Sequence, residues 1–209
     1  MRHPTSLLLL VVTMPAALAC ATIEPAPVRT DPIEPAVHVA LAPSAPGSPQ
    51  APVLTNRRVE HASVLIEVGG VRILTDPWFT ETSGYRHGEP LGIALKDIGA
   101  LTAVVVSHAH YDHYDMVGFA PYPDKAVPMI VMKGTAAAAR DAGFTHVDDI
   151  APWQTVDVNG VKITATPGAH SVDENTYIIE ANGYTIFFGG DSLLIPAQSE
   201  IAKRFPHVD

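Results

Sequence analysis

A chain of 209 residues, 47% of them hydrophobic, has room for one packed domain of ordinary size. Its formal net charge of -9 excludes the Lys and Arg fields that hold a phosphate backbone, so no nucleic-acid groove is expected. The single cysteine, Cys20, leaves no disulfide within one chain.

The first twenty residues have the layout of an export signal: Arg2 and His3 at the start, an apolar core from Leu7 to Val12, and the small-residue site Ala17-Leu18-Ala19. The apolar run is too short to span a bilayer comfortably as a permanent helix. Cys20 follows at once and resembles the lipidated first residue of a bacterial lipoprotein, although Ala17 stands where that signal more often has Leu. Simple secretion, which Ala17-Leu18-Ala19 also serves, is the alternative. The expected location is therefore the bacterial cell envelope, membrane-anchored, or otherwise periplasmic or secreted. Residues 21–55 are crowded with Pro, Ala and Ser, as in Pro43-Ser44-Ala45-Pro46. Repeated proline removes donors and fixes φ, so this segment reads as a semi-extended tether in which His38 is incidental.

A folded domain is expected over 56–209. Three hairpins are predicted there, with Ser63 to Val68 and Val71 to Thr75 flanking Gly69-Gly70. Thr155 to Val158 and Val161 to Ala165 flank Asn159-Gly160, and Thr176 to Ala181 and Tyr184 to Phe188 flank Asn182-Gly183. Such dipeptides take the positive φ of tight two-residue turns. Between them lie the apolar run Ala103 to Val106, the strand Met129 to Met132, and a helix over Thr135 to Ala142 ended by Gly143. Pattern alone places the fold among α/β or α+β classes.

Directly after Val106 comes Ser107-His108-Ala109-His110-Tyr111-Asp112-His113-Tyr114-Asp115. A buried strand ending abruptly in ligands delivers His nitrogens and Asp oxygens to a sheet edge. His108 and His110 alternate by two, so an extended segment turns both imidazoles to one side, while Asp112 and His113 must turn to reach a second point. One metal could not easily use all four. Two later segments, Thr166-Pro167-Gly168-Ala169-His170 and Phe187-Phe188-Gly189-Gly190-Asp191, repeat the design of strand, small-residue turn and one ligand.

With these residues the chain resembles the metallo-β-lactamase superfamily of binuclear metallohydrolases, over most of its length after about residue 56. Within it, the chain looks most like the group of N-acyl-phosphatidylethanolamine phospholipase D and the bacterial ascorbate-6-phosphate lactonase. Supporting residues are His61 to Glu67, Ile73 to Pro77 and the closing Asp115. The resemblance implies an αββα sandwich, with His108, His110 and His170 at one metal, Asp112 and His113 at the other, and Asp191 bridging both. It also implies a last His for the second metal from a segment beyond the bridging Asp. These 209 residues contain no such segment, so an incomplete C-terminal half is expected.

Two divalent ions can share a water and lower its pKa toward neutrality, giving a hydroxide nucleophile for an ester, lactone or phosphodiester. Asp112 can hold a metal and also orient that hydroxide, which makes it the candidate catalytic residue. Zinc suits imidazole and carboxylate donors, with manganese or iron as alternatives. The substrate would be a small molecule or a lipid. The competing reading is a non-catalytic or metal-sequestering exported lipoprotein that kept part of the site. Asp76, before Pro77, is a candidate to hydrogen-bond a ligating His or simply to form a turn, and Asp115 is similar. His61 starts a strand and resembles a family position; it is expected to be a structural histidine near the site, with a metal ligand as the alternative. Trp78, Phe79 and Tyr85 are candidates for a substrate entrance or for the core. His87 and His146 are expected at the surface, and His207, next to Asp209, is not expected to supply the last ligand.

Overall fold

The structure is a computed structural model that describes residues 52–209. The export signal, Cys20 and the tether through residue 51 lie outside the described residues.

Six strands form the first sheet in sequence order: β1 (Leu54–Glu60), β2 (Ser63–Val68), β3 (Val71–Thr75), β4 (Ala103–Val105), β5 (Met129–Met132) and β6 (Val147–Ile150). The pairs β1-β2 and β2-β3 are antiparallel, and β3 to β6 run parallel. The second sheet is antiparallel, in the order β10 (Tyr184–Phe188), β9 (Asn175–Ala181), β8 (Val161–Pro167), β7 (Thr155–Val158). Among the described residues, three α-helices, α1 (Met116–Phe119), α2 (Ala136–Asp141) and α3 (Gln198–Arg204), and a short 3-10 helix at Leu95–Asp97 complete the fold.

Period-two alternation sorts the strand residues into two cores. Ile66, Ile73, Val105 and Ile130 face the second sheet and meet Ile163, Tyr177 and Ile179. Leu65, Leu74, Val104 and Met129 face the other way and pack with Phe119, Ala139 and Phe144 around α1 and α2. Strands covered on both faces read as continuous apolar runs, which is why Ala103-Val104-Val105-Val106 shows no alternation in sequence. On the outer face of the second sheet, Arg204 of α3 lies 4.0 Å over the Trp153 ring. The layer order is that of the expected αββα sandwich.

The two sheets are stitched at one edge. Fully buried Tyr177 donates its hydroxyl to Val106 O at 2.8 Å, and Asn175 N donates to Ser107 O at 3.0 Å. Burial pushes the Tyr177 phenol well above its ordinary value, so it stays a donor. The parallel strands β3 and β4 end at this edge, and so do β8 and β10. Chemistry in open sheets of this kind collects at strand ends.

Differences from expectation are local. β1 begins at Leu54, inside the segment read as tether, and β8 runs on to Pro167. The helix expected from Thr135 starts at Ala136, with Thr135 as its N-cap, and Gly143 ends it at a φ of 91°.

Candidate metal centre

His108 sits one residue past Ser107 at the end of β4, and both are fully buried. Ala109 turns to solvent and His110 returns, so the alternation holds and His108 Nε2 lies 2.9 Å from His110 Nδ1. The loop after β8 brings the His170 ring to 5.0 Å from each of the other two rings. One nitrogen from each of these three residues lies within 4.8 Å of the others.

A turn then redirects the chain: His113 N and Tyr114 N both donate to His110 O, at 3.1 and 2.9 Å. Asp112 and His113 thereby reach a second point. There His113 Nε2 stands 3.3 Å from Asp191 Oδ2 and 4.0 Å from Asp112 Oδ2. Asp191 arrives on the turn after β10. Gly190 before it has a φ of 52°, and a Cβ there would sit 2.5 Å from Glu174 Oε1 and 2.7 Å from Ser107 Cβ, so only glycine fits. All six residues expected from the sequence are brought into one cluster.

Buried carboxylates hold the imidazoles in place. Asp76, at a φ of 36°, accepts from Ser107 N at 2.7 Å and Ser107 Oγ at 2.6 Å, and pairs with His113 Nδ1 at 2.6 Å. Ser107 Oγ is in turn 2.9 Å from His108 Nδ1. As a carboxylate, Asp76 has no proton to give, so His113 Nδ1 and the serine hydroxyl both donate to it. The serine oxygen is then free to accept from His108 Nδ1. This chain leaves the Nε2 lone pairs of His108 and His113 bare, the form in which imidazole binds metal. Burial pushes Asp76 above the ordinary carboxylate range, against the pull of its bonds from His113 and Ser107. Burial pulls His113 down, but its bond to Asp76 and the charges of Asp76, Asp191 and Asp112 carry it above the ordinary imidazole value. His110 goes the other way: burial and the neighbouring His108 and His170 hold it low, and so neutral.

The residues fit a pair of cations on two counts. Nitrogens on a tetrahedral zinc, at bonds of about 2.0–2.1 Å, stand about 3.3 Å apart, close to the spacing of the paired imidazoles. Asp112 Oδ1 is buried with no hydrogen-bond partner, a costly state that a cation would relieve.

Glu174, which the sequence reading missed inside an acidic loop, is buried. Its Oε1 accepts from Asp191 N at 2.8 Å and lies 3.3 Å from His108 Nδ1, so one carboxylate ties together two of the segments that meet here. His61, expected near the site, lies at the cluster, with Nε2 3.1 Å from His113 Nε2. Asp115 touches no imidazole. It caps α1 by accepting from Gly118 N at 2.7 Å, and it binds Phe79 N and Thr80 N. The two candidate carboxylates thus divide, Asp76 to the His113 imidazole and Asp115 to a helix end. Phe79 belongs to the core, stacked on Phe119, while buried Trp78 sets its ring edge-on to His61 and His87. His87 is therefore half-buried rather than at the surface. Tyr85 packs against Tyr111, and His146 and His207 are exposed. Beside His170 opens a cleft of about 660 Å³, lined among others by Met132, Lys133 and Val172.

Residues 71–209 match the Beta-lactamase superfamily domain. The chain belongs to that superfamily. A similar relative is an uncharacterized protein of Mycobacterium tuberculosis, 30% identical over 156 residues, which are 63% of this chain and 40% of that protein. The chain thus spans about two fifths of the length of that relative. A Caenorhabditis elegans N-acyl-phosphatidylethanolamine-hydrolyzing phospholipase D is 43% identical over 61 residues, 26% of this chain and 17% of that enzyme. Among solved structures of the superfamily's fold, a possible metal-dependent hydrolase from Veillonella parvula superposes with a TM-score of 0.62. It is 21% identical, and the match covers 74% of this chain and 69% of that one.

Proposed function

We propose that this chain is a metal-dependent hydrolase in which His108, His110 and His170 hold one divalent ion, Asp112 and His113 hold a second, and Asp191 serves both. The observation that carries this reading is the convergence, from the loops after β4, β8 and β10, of three imidazoles at one point and of His113, Asp112 and Asp191 at its neighbour. Zinc suits the nitrogen and oxygen donors best, and manganese or iron would also accept them.

When bound, such ions supply Lewis acidity that activates water near neutral pH and polarises the substrate oxygen. The chain's own residues prepare for that chemistry. Asp76 and Ser107 keep protons on the Nδ1 atoms, so that the Nε2 atoms stay open. Asp112, whose Oδ2 lies 4.0 Å from His113 Nε2, would hold the second ion and orient the attacking water beside it. The substrate class we favour is an ester, lactone or phosphodiester of a small molecule or lipid. Support comes from the likeness to a lipid phosphodiesterase and from the cleft beside His170, where Met132 and Val172 offer apolar contact and Lys133 a positive charge. Anchoring to an envelope membrane through Cys20 is part of the same reading.

The test is turnover of bis(p-nitrophenyl) phosphate, a simple lactone and N-acyl-phosphatidylethanolamine by the zinc-loaded chain, beside a chelator-treated sample and Asp112→Asn. Metal-dependent turnover of one class is expected, falling roughly 100-fold or more in the variant. Ions bound without turnover of any of the three would favour metal sequestration instead.

A further inference from the structure

We infer that His61 is a direct ligand of the second ion, an inference that rests on the binuclear reading above. Its Nε2 lies 3.1 Å from His113 Nε2, 3.6 Å from Asp191 Oδ1 and 3.7 Å from Asp112 Oδ2, so it faces every donor assigned to that ion. Neither carboxylate distance is a hydrogen bond, since such bonds end near about 3.2 Å for nitrogen and oxygen. Both are the separation of donors that share a central cation, at about 3–4 Å. A positioning role through hydrogen bonds to Asp112 or Asp191 is therefore not what the geometry describes.

The backbone was shaped to put an imidazole here. His61 opens the two-residue turn between β1 and β2, where Glu60 pairs with Ser63, and its φ is 47°. Hairpin turns reserve positive φ for Gly, Asn or Asp, and strain of this kind gathers at functional sites. The ring meets His113 at 80° with centroids 4.8 Å apart and is backed edge-on by Trp78. With 41% of its side chain exposed, it closes the solvent side of the group. Among the described residues, the other histidines outside the cluster lie elsewhere: His87 packs edge-on against Trp78, His146 reaches Ala126 O, and His207 pairs with Asp209.

The experiment is metal content and competitive zinc titration of the 209-residue protein, with visible spectra of the cobalt-loaded form, for the wild type, His61→Gly and His207→Ala. Glycine suits the turn, so circular dichroism and melting of the metal-free variant should match the wild type or exceed it. Loss of a partner that only orients a ligand weakens metal binding about 10–100-fold, so loss of a ligand should weaken the second ion by at least about tenfold. The first ion should be unaffected, and the cobalt spectrum of the second should change, with free imidazole restoring it. His207→Ala should behave as wild type. If His61→Gly binds both ions with unchanged affinity and spectrum, the inference is overturned while the binuclear reading stands. If the wild type itself holds one ion or none, the binuclear reading fails and takes the inference with it.

Discussion

Replacing Asp76 separates its two tasks, because one fully buried carboxylate serves three donors: Ser107 N, Ser107 Oγ and His113 Nδ1. Asp76→Ala strands all three without water. At about 1–3 kcal/mol per unsatisfied buried donor, and with partial relaxation, a loss of roughly 3–5 kcal/mol is expected. Asp76→Asn keeps the shape and the Oδ1 acceptor for Ser107 N, but it places an amide NH₂ against two donors. To relax, His113 must move its proton to Nε2, the atom that faces Asp191 at 3.3 Å. The fold then loses only about 1–2 kcal/mol. Affinity for the second ion should fall about 10–100-fold, equivalent to about 1.4–2.7 kcal/mol. Urea unfolding of the metal-free proteins measures the first effect, and titration against a chromophoric chelator the second. An Asn variant with wild-type affinity for both ions would refute the argument that Asp76 sets the His113 tautomer.

Gly190→Ala should cost about 1–3 kcal/mol and shift Asp191, because the added methyl meets Glu174 and Ser107 at a positive φ; denaturant unfolding and zinc content check both effects. Burial holds the Tyr114 phenol at about 12, above its unfolded value of 10.0. A folded pKa raised in this way gives stability that is complete below pH 10 and lost as pH climbs through 12, so unfolding midpoints should fall across that window. Tyr114→Phe should flatten the fall. Cys20→Ser should move the protein from the membrane to the soluble fraction if an acyl chain holds it there, as fractionation of expressing cells would show.

What could be read from the sequence follows from where the information lies. The hairpin turns were legible because Asn159-Gly160 and Asn182-Gly183 take positive φ, which few other pairs adopt. The six cluster residues were legible because His and Asp seldom follow a buried strand without a chemical reason. β1 and β6 were not, being edge strands whose exposed Arg57, Arg58, Asp148 and Asp149 break any apolar pattern. α1, with four residues, is too short to show helical periodicity. Glu174 carries no local signal at all. His61 meets Asp191 only because the β1–β2 turn and the end of β10 reach the same edge, a fact of tertiary structure. One signal for His61 was available: a histidine where a tight hairpin turn would favour glycine.

Anomalous diffraction at the zinc edge from a zinc-loaded crystal tests most directly whether these loops converge on two ions. One peak is expected among His108, His110 and His170 and a second among His61, Asp112, His113 and Asp191. A single peak, or density coordinated by residues outside this cluster, would contradict the binuclear reading.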